Sequence, residues 1–114
     1  MRGYLQTDVP TRFTVRALSD VAAERMAQNA KWGPQHHLDG TSTIRYHILR
    51  DEAIAQCDWE SSWFLDGSTW RSILKEETFE AFAEEDQVKL RAELVQAAAV
   101  AVAWIEDIDS RETT

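Results

Sequence analysis

The stretch WRSILKEETFEAFAEEDQVKLRAELVQ, residues 70–96, decides the reading of this 114-residue chain. Its apolar residues recur at helical spacing, yet acids sit among them. On a wheel of ~100° per residue, Trp70, Leu74, Glu77 and Ala81 share one narrow sector, with Ile73, Glu80 and Glu84 beside it. Glu77 therefore lies on the face best suited to packing. An isolated buried carboxylate is costly and is normally neutralised or avoided. A cation shared by several carboxylates removes that cost.

The end of the stretch leads into a second helix. Residues 94–105, LVQAAAVAVAWI, are apolar nearly all round, and such a helix is buried on most sides. In a chain of this length, that implies burial against a second subunit as well. Gln96 is the one polar residue of the run, and Glu93 comes just before it. Three residues apart, they share a helix face. Folding the two helices back on each other at Asp86 and Gln87 sets Glu80 level with Glu93, and Glu77 level with Gln96. Three carboxylates and one amide then converge. Hard divalent cations take such oxygen cages, with Mg²⁺ the first expectation and Mn²⁺ the second.

The default reading of a Glu-rich helix is a solvated face, and Glu76, Glu85 and Asp86 read that way. A ferritin-like di-iron site is a competing carboxylate centre, but it needs Glu-x-x-His on facing helices. No Glu of this chain has His three residues later.

Residues 1–16 read as an arm, because Pro10 argues against a helix and TRFTV suits a short extended piece. A first helix is expected over Leu18–Lys31, with Ser19 as N-cap. The loop WGPQHHLDGTST follows. A second helix is expected over Thr43–Asp58, then a turn region WESSWFLDGST. The third helix is expected over Thr69–Glu85, capped by Ser68 or Asp66, and the fourth from Asp86 to Asp109. This gives one helical domain, 17–109, and a fraying tail, 110–114. The expected fold is all-α, a four-helix bundle of helical hairpins completed by oligomerisation.

The composition, 44% hydrophobic and 28% charged with five Trp, is that of a folded chain. Four Gly and two Pro disfavour a turn-rich β architecture. The net charge of -8 repels nucleic-acid backbones and anionic membranes. An anionic ligand would need a local reversal of that field, from a metal ion or from placed Lys and Arg. The lone Cys57 builds neither a disulfide framework nor a zinc site, which suits a reducing cytoplasm. Met1 is followed by RGYLQTDVPTRF, which lacks a signal-peptide core, and AAAVAVAWI is too short to span a bilayer.

Glu76-Glu77-Thr78-Phe79-Glu80, followed by Glu93 in the next helix, resembles the EExxE…ExxD signature of the MazG-like, all-α nucleoside triphosphate pyrophosphohydrolases. The resemblance extends back to ERMAQNAKWGPQHHLDGT and forward through ELVQAAAVAVAWIEDID, about residues 20–109. It implies an α-helical homodimer or homotetramer that uses Mg²⁺ to cleave a nucleoside triphosphate between its α- and β-phosphates. The products would be a nucleoside monophosphate and pyrophosphate. By motif position, Glu77, Glu80 and Glu93 would be metal ligands, and Glu76 would support or position the water. The family's final Asp is Gln96 here, an amide that can ligate Mg²⁺ without bringing charge. That departure bears on metal affinity, metal count or activity, and Glu84, one turn beyond Glu80, is a candidate to compensate.

The resemblance also implies that the first loop contacts nucleotide. Trp32 can stack on a base, Gln35 can read a base edge, and Lys31 can meet phosphate, with His36 beside them. The plainer alternative has Trp32 anchoring the loop to the core and His36 and His37 solvated. Arg50 and Lys75 are further candidates for phosphate, though surface charges are the default. Trp59, Trp63, Phe64 and Trp70 read as core or interface anchors, and Cys57 as a small buried hydrophobe. Three function classes follow: a nucleotide pyrophosphohydrolase, a non-catalytic nucleotide- or partner-binding helical module, and a structural oligomerisation bundle.

Overall fold

Four helices make up the regular structure of the computed structural model, which describes residues 11–63 and 67–112. They are α1 (Arg12–Trp32), α2 (Ile44–Trp63), α3 (Trp70–Ala83) and α4 (Gln87–Glu112). No strand occurs among the described residues, so the fold is all-α. None of the described helices is long and apolar enough to cross a membrane. Phe64 and Asp66 lie outside the described residues, as do residues 1–10.

The chain divides into two compact units, 1–36 with 102–114, and 37–101. In the first, α1 begins earlier than its sequence suggests. TRFTV is not extended. Thr11 is the N-cap, and its hydroxyl accepts from the Thr14 amide at 3.2 Å. A Pro just before an N-cap leaves every helical N–H intact, so Pro at position 10 of the sequence does not oppose a helix that begins at Arg12. The Thr14 hydroxyl donates to the Glu106 carboxylate of α4, and the Arg16 guanidinium lies 3.9 Å from Asp109. Residues 110–112, expected as frayed tail, remain helical. The Arg111 guanidinium pairs with Asp107 one turn back at 2.9 Å. At the other end of α1, Gly33 donates its N–H to the Asn29 carbonyl at 2.8 Å. Its φ of 69° and ψ of -169° suit glycine alone.

In the second unit, α2 packs on α3. Ala53 and Cys57 of α2, Ala81 and Ala83 of α3 and Leu90 of α4 are its buried apolar side chains. Tyr46 meets Phe82 edge-on at 5.3 Å, and Phe82 meets Phe79 at 5.9 Å. The Ser42 amide donates to the Phe82 carbonyl at 2.8 Å, satisfying one of the carbonyls that a helix end leaves open. Residues 84–86 connect α3 to α4. Asp86 caps α4, its carboxylate accepting from the Lys89 amide at 2.9 Å.

The corner between α2 and α3 is held by a buried acid. Glu60, only 2% exposed, accepts from the Thr69 amide at 2.9 Å and the Thr69 hydroxyl at 3.1 Å. The Ser72 hydroxyl at 2.6 Å and the Gln56 amide at 3.1 Å complete its shell. Thr69 also caps α3, accepting from the Ser72 amide, so the N-cap falls one residue after Ser68. Ser68 instead donates to the Cys57 carbonyl at 2.9 Å. These donors, first the Ser72 hydroxyl and then the Thr69 amide, pull the Glu60 carboxyl down to about 2 from 4.5. A depressed carboxyl stabilises the fold above its unfolded value, and that contribution is lost as pH falls through the folded value. Glu60→Gln is therefore expected to lower Tm at neutral pH by several degrees. It should also flatten the loss of stability between pH 4.5 and about 2. Thermal melts followed by circular dichroism across that range check both.

Candidate metal centre

Hairpin α3–84–86–α4 brings the acids of the opening stretch together. One carboxylate oxygen each from Glu77, Glu80 and Glu93 lies within 4.8 Å of the other two. Ligands on opposite sides of an octahedral Mg²⁺ stand about 4.2 Å apart, so the observed spacing is close to what one shared ion would require. All three side chains are half-buried. One oxygen of Glu77 and one of Glu93 are buried without a hydrogen-bond partner. Buried carboxylate oxygens are normally satisfied, and an orphan needs an explanation such as an ion. The donors are hard oxygens with no His or Cys among them, which fits Mg²⁺ or Mn²⁺ and disfavours zinc.

The electrostatics point the same way. Burial raises the Glu77 carboxyl above its ordinary value, and the charges of Glu76 and Glu93 add to the rise. Glu80 is also raised, first by burial and then by Glu77, Glu93 and Glu76, with Arg50 acting against them. The cluster adjoins a cleft of about 430 Å³ lined by Arg50, Asp51, Ile54, Glu80, Glu84 and Glu93. Arg50 thus lies in the same cleft as two of the acids, whereas Lys75 is exposed on α3 and does not line it. The sequence offered no means of separating these two cations. Their difference is set by the packing of α2, which a helical wheel of α3 does not contain.

The other expected site residues fall as follows. Glu76 is half-buried beside the cluster, and its carboxylate helps raise the Cys57 thiol. Cys57 is buried as expected. Burial first, and then Glu76, push its thiol up to about 12, so it is no nucleophile near neutral pH. Gln96 lies one turn after Glu93 and is exposed. Glu84 is the C-cap residue of α3, with its carboxylate accepting from the Asp86 amide at 3.2 Å.

Lys31, Trp32, Gln35 and His36 belong to the first unit, and the carboxylates to the second. Lys31, Trp32 and Gln35 line one surface depression of about 340 Å³ with Glu24, Ala27 and Gln28. His36 is exposed and is not part of that lining. Trp32 is 63% exposed, so it is no buried anchor, and the Lys31 ammonium sits 4.8 Å from its ring centre.

No family model, no curated protein and no solved structure matches this chain. The chemistry of the cluster yields its own expectation. A carboxyl raised by folding binds protons more tightly in the folded state, so its contribution to stability falls as pH rises from 4.5 through the raised value. Mg²⁺ or Mn²⁺ should reverse that loss near neutral pH. At ten times its dissociation constant, an ion adds about 1.4 kcal/mol of stability. Glu77→Gln should raise Tm without metal and remove the metal-induced rise. Paired melts at pH 5 and 7.5, with and without the ions, check this.

Proposed function

We propose that this chain is a Mg²⁺-dependent nucleoside triphosphate pyrophosphohydrolase of the MazG-like kind, serving nucleotide-pool control or clean-up. It would cleave a ribo- or deoxynucleoside triphosphate to the monophosphate and pyrophosphate. The observation that carries the reading is the convergence of Glu77, Glu80 and Glu93, with orphaned buried oxygens on two of them. The EExxE motif beginning at Glu76 supports it independently.

Glu77, Glu80 and Glu93 would hold the cation, with the Gln96 carbonyl as a neutral additional donor. When bound, the ion supplies charge neutralisation at the phosphates and a position for an in-line water. The α3–α4 hairpin fixes the three carboxylates before substrate arrives, so little reorganisation is needed. Glu76, next to Glu77 on α3, would accept a proton from the attacking water as general base. In the first unit, the exposed face of Trp32 offers a base-stacking surface, with Lys31, Gln35 and His36 nearby in sequence. Exposed apolar residues of α4, Leu94 and Val95, favour a homodimer or homotetramer that covers this helix. A cytoplasmic protein that avoids nucleic acid and membrane suits the -8 charge and the lone thiol.

Gln96 motivates one alternative, a non-catalytic nucleotide- or partner-binding module with a degenerate metal site. The products separate the two readings. Wild type with Mg²⁺ or Mn²⁺ should release pyrophosphate from some member of a panel of canonical and modified nucleotides. Glu77→Gln should reduce that rate by about a hundredfold or more. Binding without release would favour the alternative. If neither protein releases pyrophosphate while both stay folded, the enzymatic reading fails.

A further inference from the structure

The cleft beside the carboxylates has a feature that a bare cation site would not want. Arg50, contributed by α2, lines it together with Glu80 and Glu93. Its side chain is 34% exposed, and its Nε and Nη2 both approach the same oxygen of Asp51, each at 3.1 Å. A guanidinium carries five N–H donors in a planar fork that matches two oxygens of a phosphate. Two nitrogens directed at one oxygen leave much of that fork uncommitted. The guanidinium is close enough to favour the charged form of Glu80. A positive charge in this place repels a metal ion approaching the same acids. Beyond the acids it already faces, it is complementary to a ligand that carries negative charge alongside the ion.

We infer that Arg50 is the phosphate-binding residue of this cleft, which therefore takes a metal-chelated polyphosphate chain in preference to a bare divalent cation. The inference rests on the cation site at Glu77, Glu80 and Glu93, but not on hydrolysis. The acids form the cation pole, and Arg50 forms the anion pole. A phosphate oxygen between them would meet the ion on one side and the guanidinium on the other. Asp51 holds the guanidinium through its own carboxylate while the chain is absent. Arg is suited to this role by its fixed fork, which Lys cannot reproduce.

Calorimetric titration of the full chain tests this with two probes: Mn²⁺ alone, and inorganic tripolyphosphate in saturating Mg²⁺. Arg50→Gln should bind tripolyphosphate about tenfold or more weakly. Its affinity for Mn²⁺ alone should be unchanged or higher, because a repelling charge is gone. The retained Mn²⁺ binding also shows that the variant has folded. Arg50→Lys should recover part of the tripolyphosphate affinity. The inference is overturned if Arg50→Gln leaves tripolyphosphate affinity unchanged, or weakens both probes in parallel. It falls together with the cation site if wild type binds neither. Arg50-dependent tripolyphosphate binding with no nucleotide hydrolysis would remove the enzymatic reading alone. Hydrolysis with an unaltered KM in Arg50→Gln would remove the role of Arg50 alone.

Discussion

The Glu60 carboxylate fixes where α3 begins. It gathers the amide and hydroxyl of Thr69, the hydroxyl of Ser72 and the side chain of Gln56, tying the last turns of α2 to the first turn of α3. Among the described residues, the apolar side chains buried in this unit are small, four of the five being Ala or Cys. A charged acceptor with several donors adds directional hold to these small contacts, because charge-assisted hydrogen bonds are directional as well as strong. Once α3 starts at Trp70, helical geometry sets the direction of Glu76, Glu77 and Glu80.

The same residue type has opposite fates on two neighbouring helices. Glu60 is surrounded by donors, and its carboxyl is pulled down to about 2. Glu77 and Glu80 are surrounded by other acids and apolar groups, and their carboxyls are pushed up. The first arrangement is complete within the protein. The second is incomplete, since the fold gathers like charges and supplies no donor to the buried oxygens of Glu77 and Glu93. A fold that satisfies one buried acid so fully has the means to satisfy others. Two neighbouring acids with unsatisfied buried oxygens are expected where the remaining partner comes from outside the chain.

Much of this was legible before the structure. The apolar periodicity gave four helices, and the short connection after α3 gave the hairpin register that pairs Glu80 with Glu93. That register depends only on neighbours in sequence, so it survives ignorance of the tertiary packing. A Pro at position 10 argues against a helix nearby, yet Thr11 supplies a cap just beyond it, so the start of α1 lies earlier than the sequence suggests. Glu60 was passed over, although Ala53, Cys57 and Glu60 repeat on α2 the pattern that singled out Glu77 on α3. The acid-in-stripe criterion applied equally to it. What the sequence withheld was the outcome, because whether such an acid meets hydroxyls or other acids depends on which loop folds over it.

The position of Arg50 shows why that difference matters for function. Across the whole chain the charge is -8, and a polyanion approaching at random meets repulsion. Net charge does not govern a cleft, where the nearest few groups dominate because ions screen more distant ones within about 10 Å. In this cleft the acids are gathered tightly enough to favour a cation, and a single guanidinium stands among them. A divalent ion would offset two of these negative charges without any change in the chain. In the proposed reading, the ion and Arg50 together would offer a polyphosphate one place of attraction on a surface that elsewhere repels polyanions. The acids that make the surface repulsive are of the same kind as those that would hold the proposed ion. What separates the two roles is the few ångströms over which α3 and α4 bring Glu77, Glu80 and Glu93 together.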